Sequence, residues 1–293
     1  MANNYLISDL NLYIDAEYDK MSSELMSPYL TENTDSDIRI RIIKTKEPIT
    51  LPDAAILTSL GSLKYFTHYN ECDIVFFYDK NTNKTIASIK YSPDYSEVEI
   101  ISYDYVQDYD ISMDYVIYNL IGTAIKYLIQ MYDGFVFHAS AIACHGFGLA
   151  FSAKSGTGKS THTSLWLKQY GDTVVINDDS PIIRIVNNNV FIYGTPWAGT
   201  TCINYNKKVP LKAIVFLSRG DSNVIKQLEP SEAVKPFFDG ITSPLNPRML
   251  SNAAVTMDKI LSTVPIYSLS CNMNLDAAVT VHNFIFGEGD LQK

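Results

Sequence analysis

The sequence predicts a mixed α/β (α+β) protein in two parts: a β-rich N-terminal half of mostly antiparallel strands, and an α/β C-terminal half built around a phosphate-binding loop. Three observations point there. The run Ala153-Lys154-Ser155-Gly156-Thr157-Gly158-Lys159-Ser160 lies between a short apolar stretch and a helical one. A β-branched run over 173–177 then leads into the pair Asp178-Asp179. Finally, the first 132 residues hold 20 acidic against 10 basic side chains and 16 of the 20 tyrosines, so the two halves differ in composition and are expected to be separate domains, 1–110 and 111–293.

In the N-terminal half, strands are expected over 5–14, 38–43, 73–78, 84–91 and 97–103, separated by turn-forming clusters such as Asp79-Lys80-Asn81-Thr82-Asn83. A boundary is expected near Asp110. The stretch 113–131 is broken by Asp114, Asn119 and Lys126, so it reads as an amphipathic connecting helix with Val116, Leu120, Ala124, Tyr127 and Leu128 on one side, and not as a membrane span. The tyrosines fit either ordinary strand positions or a surface that recognises a basic or extended peptide.

The loop carries the chemistry. Gly156 and Gly158 let the backbone turn its N–H groups inward, Lys159 reaches the outer phosphates of a nucleotide, and Ser160 is placed to ligate magnesium. Ser155, Gly156, Thr157, Gly158, Lys159, Ser160 and Thr161 are therefore the expected nucleotide-binding residues. Ala153 stands where the pattern opens on glycine. The motif means phosphate binding only when it follows a strand and opens a helix, and the apolar run 148–152 and the stretch 160–170, ending at Gly171, supply both. A helix N-terminus there adds its partial positive charge to that of Lys159.

Nineteen residues separate Lys159 from Asp178, enough for one helix and a tight turn, so the acidic pair is expected on a strand near the loop, at the same end of the sheet. Two carboxylates beside a triphosphate can divide the labour, one holding magnesium and the other taking a proton from an attacking hydroxyl. His138 sits in the mostly apolar segment 136–143, either as a phosphate contact or as a core histidine satisfied by backbone groups. His145, beside Gly146, reads as part of a hairpin turn.

From His138 through Ser160 the chain resembles the catalytic domain of HPr kinase/phosphorylases without a gap, including the histidine upstream of the phosphate loop and the paired aspartates on the next strand. The resemblance covers 136–184 best. It implies a phosphoenolpyruvate carboxykinase-like P-loop kinase core, with Lys159 and Ser160 on phosphate and Mg2+, Asp178 as the base on a hydroxyl, Asp179 as a metal ligand, and His138 on the transferred phosphate. The family's Arg-Gly stretch has no counterpart here, so phosphorylase activity is not expected. In its place stands Tyr193-Gly194-Thr195-Pro196-Trp197-Ala198-Gly199-Thr200-Thr201, which is similar to the segment in HPr kinase-like proteins resembling peptide-modifying kinases. Physically it is an irregular loop whose Trp197 either faces substrate or closes the core after a hairpin through Asn187-Asn188-Asn189.

The C-terminal third supplies strands at 209–217 and 264–269 and scattered basic residues, Lys207, Lys208, Arg219 and Arg248, each able to neutralise phosphate, although a single basic residue is more often a solvated surface group. Arg184 lies closer to the aspartates. Net charge is −9 with no basic cluster, which argues against a nucleic-acid partner. Cys72, Cys144, Cys202 and Cys271 are spread without metal-binding spacing, as in a reduced cytoplasmic protein, and neither a signal peptide nor a membrane partner is expected. The expected activity is a Mg2+-dependent, ATP-using kinase acting on a Ser/Thr hydroxyl of a peptide or small protein, with a homo-oligomer compatible with the family. The alternatives are a small-molecule or carboxykinase-like kinase, or a catalytically silent nucleotide-binding module.

Overall fold

The computed structural model describes residues 2–51, 57–60, 64–104, 112–199 and 201–287. The expected boundary residue Asp110 and the loop residue Thr200 lie outside them. The chain is mixed α/β with two large sheets, and it divides into two compact units, Met1–Leu128 and Ile129–Lys293.

The N-terminal unit contains β1 (Ala2–Ile7), β2 (Leu10–Asp15), α1 (Lys20–Met26), β3 (Ile38–Thr45), β4 (Thr58–Ser59), β5 (Lys64–Tyr69), β6 (Cys72–Asp79), β7 (Lys84–Tyr91), β8 (Glu97–Tyr103) and α2 (Met113–Leu128). The single strand expected over 5–14 is two strands. Ser8 and Asp9 both take positive φ, 51° and 60°, and close a two-residue turn whose twist suits a hairpin. The sheet order is β1-β2-β3-β8-β7-β6-β5-β4. Its central pairings, β2 with β3 and β3 with β8, are parallel, while the flanking ones are antiparallel.

Alternation along the strands decides the core of this unit. Leu12, Ile14, Ile38, Ile40, Val98 and Ile100 are buried, and the intervening Tyr13, Arg39, Arg41 and Glu97 are exposed. Helix α2 packs near β8, and the buried Tyr91 hydroxyl donates to the Ala124 carbonyl at 3.2 Å. The buried stripe of α2 is broader than expected, taking in Ile117, Ile121 and Ile125 as well, with Val116 only half-buried.

The C-terminal unit runs β9 (Gly134–Val136), β10 (Ala139–Cys144), β11 (Phe147–Ser152), α3 (Lys159–Gln169), β12 (Val174–Asn177), β13 (Ile182–Val186), β14 (Asn189–Tyr193), β15 (Lys208–Arg219), β16 (Val224–Gln227), α4 (Pro230–Asp239), α5 (Pro247–Thr263), β17 (Ile266–Cys271) and α6 (Asp276–Phe286). The main strand order is β12-β10-β11-β15-β14-β13-β9. Its twelve-residue β15 pairs antiparallel with β14 through its first residues, and parallel with both β11 and β17 farther along.

Two apolar clusters lie on the two faces of this sheet. Phe137, Ala139, Ala141 and Ile214 pack with residues of α4 and α5, whereas Ile142, Leu149, Phe151 and Val215 pack with α3 and α6. Strands covered on both faces are apolar at nearly every position, as β10 is: all six of its residues are buried. Tight turns join the strands. His145 (φ 52°) with Gly146 (φ 80°), and Asn187 (φ 49°) with Asn188 (φ 66°), close two hairpins.

Candidate functional site

The loop 153–158 leaves the C-terminal end of β11 and enters α3, the strand–loop–helix order that phosphate binding requires. Gly156 and Gly158 have φ of 75° and 119°, so both occupy backbone space that side chains avoid. A Cβ on Gly158 would also come within 2.3 Å of the Met273 methyl. No side chain caps the first turn of α3, which leaves its N-terminal amides and partial positive charge facing the loop.

Lys159, the first residue of α3, turns back across the loop. Its ammonium lies 3.3 Å from the Ala153 carbonyl and 2.9 Å from His138 Nε2. The opposite ring nitrogen of His138, Nδ1, is 3.4 Å from Asp179 Oδ1. Lysine, imidazole and carboxylate thus form one row at the mouth of the loop. Burial lowers the Lys159 pKa below the usual lysine value, and the negative charges of Asp179 and Asp178 act against that shift. His138 is therefore not a core histidine: its side chain is 44% exposed, although its neighbours Phe137 and Ala139 are fully buried. Its backbone explains how it gets out. The His138 N–H donates to the Gly240 carbonyl and its C=O accepts from Ser152 Oγ, so the residue spans the gap between β9 and β10 with its ring turned toward the loop.

The two aspartates have different surroundings. Asp178, 7% exposed, accepts from the Ser140 hydroxyl on Oδ1 at 2.6 Å and from the Thr201 hydroxyl on Oδ2 at 2.9 Å. The Ser140 oxygen also lies 3.1 Å from the Thr163 hydroxyl, which can donate either to Ser140 or to the Ser160 carbonyl, so Asp178 is placed beside the start of α3. Asp179 keeps 39% of its side chain exposed, accepts from Ser180 Oγ on Oδ2, and turns Oδ1 toward His138. Both follow β12, which β10 separates from β11. Because β10 is antiparallel to both, β11 and β12 run the same way and deliver loop and aspartates to one end of the sheet.

Asn177 organises this corner. Its Oδ1 accepts from the backbone N–H groups of Asp179 and Ser180, and its Nδ2 donates to the Thr195 and Trp197 carbonyls. Trp197 is 8% exposed, so the segment after β14 closes the core and does not present an aromatic plate to solvent. Gly199 lies against Asp179, where an added Cβ would stand 3.1 Å from that of the aspartate.

The structure brings Lys159, His138, Asp178 and Asp179 together, with Ser155, Gly156, Thr157, Gly158, Ser160 and Thr161 on the adjoining loop and helix turn. Arg184 lies elsewhere and donates from Nε to the Tyr132 carbonyl. Sequence reasoning passed over Ser140, Thr163 and Asn177 and did not single out Arg219 among the basic residues, although it donates to the Gly156 carbonyl at 2.6 Å from the end of β15. A lone hydroxyl in an otherwise apolar run was the available signal for Ser140. For Arg219 the sequence carries none, because only the parallel pairing of β15 with β11 brings it to the loop.

No helix among the described residues is long and apolar enough to cross a membrane. The cysteines are all free, and Cys144 and Cys271 are buried. No protein-family model matches the chain, and no curated protein matches it in sequence. The solved structure of the Hpr(Ser) kinase/phosphatase from Coxiella burnetii aligns with 51% of this chain and 96% of its own length, at 10% identity and a TM-score of 0.30. A likeness of that order bears on neither activity nor substrate.

Proposed function

We propose that the C-terminal unit is an ATP-dependent phosphotransferase that moves the γ-phosphoryl group to a hydroxyl, with a serine or threonine of a peptide or small protein as acceptor. The observation that carries this is the row Lys159–His138–Asp179 at the mouth of a glycine-turned loop that opens an uncapped helix. Loop amides and the Lys159 ammonium are suited to cradling a triphosphate, and phosphoryl transfer asks mainly for positioning and charge neutralisation. The choice of a peptide acceptor rests on the sequence resemblance alone.

The oxygen-donor set suits a hard cation. Magnesium, were it bound with the nucleotide, would supply positive charge that offsets that of the phosphates. Ser160 and Asp178 would hold it, because Ser140, which donates to that carboxylate, lies 3.1 Å from Thr163 near the start of α3. Asp179 is then left to take the proton from the acceptor hydroxyl, its exposed carboxylate oriented by Ser180 and His138. This is the reverse of the order that the family resemblance implies for the pair. His138, between lysine and carboxylate, would contact the phosphoryl group in passage.

The test is transfer of labelled phosphate from γ-labelled ATP to a panel of serine- and threonine-containing peptides, with Asp179→Asn and Asp178→Asn compared. The expected result is that Asp179→Asn binds nucleotide without transferring phosphate, whereas Asp178→Asn shifts the magnesium requirement upward. Hydrolysis or transfer that survives both changes would sink the proposal.

A further inference from the structure

At the opposite end of β11, away from the phosphate loop, a second cluster of polar side chains gathers around the β10–β11 turn. Positive φ at His145 folds its ring back over Asp172, which follows α3. Asp172 Oδ2 accepts the His145 backbone N–H at 2.9 Å and lies 2.9 Å from its Nδ1, and Asp172 Oδ1 is 3.9 Å from Cys144 Sγ. One ligand atom from each of the three residues lies within 4.8 Å of the others.

We propose that Cys144, His145 and Asp172 bind a divalent transition-metal cation of the zinc type, with water in the fourth position. Sulfur, imidazole nitrogen and carboxylate oxygen form a borderline-soft set that suits zinc over calcium or magnesium. Ligand atoms of a tetrahedral zinc site stand about 3.4–3.6 Å apart, given its bond lengths of about 2.0–2.3 Å. The His145–Asp172 pair at 2.9 Å and the Asp172–Cys144 pair at 3.9 Å lie within about half an ångström of that spacing, and the widest separation in the cluster, at most 4.8 Å, would close by up to about 1.4 Å.

Two further observations point to a cation. His282, on α6, sets its Nε2 3.0 Å from His145 Nε2 and is held by the Tyr170 ring stacked on it at 4.1 Å. It can therefore accept the His145 Nε2 proton and leave Nδ1 bare for a metal, the role of the outer partner of a metal-bound histidine. Thr173 is 6% exposed and its hydroxyl is buried without a hydrogen-bond partner. That hydroxyl lies beside Cys144 and would have a thiolate to donate to once a cation bound. Each cation bound would release the Cys144 thiol proton to solvent as the metal–sulfur bond forms. The cation would join the β10–β11 turn, the residues after α3 and, through His282, α6. It would act as a staple independent of the nucleotide site.

Cobalt(II) titrated into the full chain is the probe. The expected result is one equivalent bound, with a sulfur-to-cobalt charge-transfer band and tetrahedral d–d bands. Both should be competed away by zinc, unchanged in Lys159→Ala and Cys202→Ser, and lost in Cys144→Ser. His145→Gln should weaken the affinity at least tenfold, and saturating zinc should raise the melting temperature of the wild type by roughly 5 °C. Should Cys144→Ser fail to fold, Asp172→Asn and His145→Gln, both at partly exposed positions, carry the same test. No cobalt binding at millimolar concentration, or a charge-transfer band that persists in Cys144→Ser, overturns the site.

Discussion

On the exposed face of the N-terminal sheet, Asp15, Arg41, Glu99 and Lys90 stand opposite one another on four adjacent strands, and Tyr13, Arg39 and Glu97 do the same on three. The Arg39 guanidinium also lies 5.9 Å over the Tyr13 ring. Each charge has its opposite as nearest cross-strand neighbour, and the row compensates itself in solvent. At the loop end of the C-terminal sheet the charged groups come from strand ends and connecting segments instead. Lys159, His138 and Asp179 meet there at a place where the backbone amides of a helix start have no side-chain cap. Acids and bases of the same kinds thus do different things. Ladder positions pair charges locally, while strand ends let groups from distant segments converge.

Substitutions on the two sheets should therefore separate cleanly. The largest effect is expected from Lys159→Ala, which should reduce phosphoryl transfer by about 10³-fold or more, whereas Arg41→Ala should leave it unchanged in the same labelled-phosphate assay. Asp179→Asn should lower the rate by about 10²–10³-fold, with nucleotide affinity measured by titration nearly constant. Comparable losses from a ladder residue would erase the distinction.

A pH experiment sharpens it. His162, in α3, accepts a hydrogen bond from Trp166 Nε1 on Nε2, and its Nδ1 is buried without a partner, so the ring is held neutral and burial pushes its pKa down to about 4. The unfolded chain takes up a proton near pH 6.5 that the folded chain refuses. Stability should fall as pH drops from about 6.5 to about 4, by about 3 kcal/mol, and chemical denaturation should show that loss flattened in His162→Gln. The loss originates at a buried ring of the C-terminal unit. The smallest effect is on the ladder itself: Arg41→Ala should cost under about 1 kcal/mol, diminishing further in high salt.

Much of the C-terminal geometry was legible because the signals were local. The glycine-turned loop, the helix after it, the β-branched run into Asp178-Asp179 and the asparagine turn each declare themselves within a few residues. What was hidden depended on pairing. The parallel central strands of the N-terminal unit alternate like antiparallel ones, and nothing in Ile38–Thr45 distinguishes the two. The split after Ile7 was missed because Ser8-Asp9 interrupts the apolar alternation only briefly. Helix α5 repeats Met249, Ala253, Thr256 and Ile260 at helical spacing, but with an alanine and a threonine among the buried residues its apolar stripe is faint. The differing environments of Asp178 and Asp179, adjacent in sequence, are set by Ser140 and Thr201, 38 and 23 residues away from Asp178.

The most direct test of the central claim, that the row at the loop mouth serves a nucleotide, is calorimetric titration of ATP with magnesium into wild type and Lys159→Ala, repeated at alkaline pH in buffers of different ionisation enthalpy. Burial depresses the Lys159 pKa, and a bound triphosphate would raise it again, so binding should be saturable, accompanied by proton uptake at alkaline pH, and lost in Lys159→Ala. No binding to wild type, or equal binding with the same proton uptake in Lys159→Ala, would contradict it.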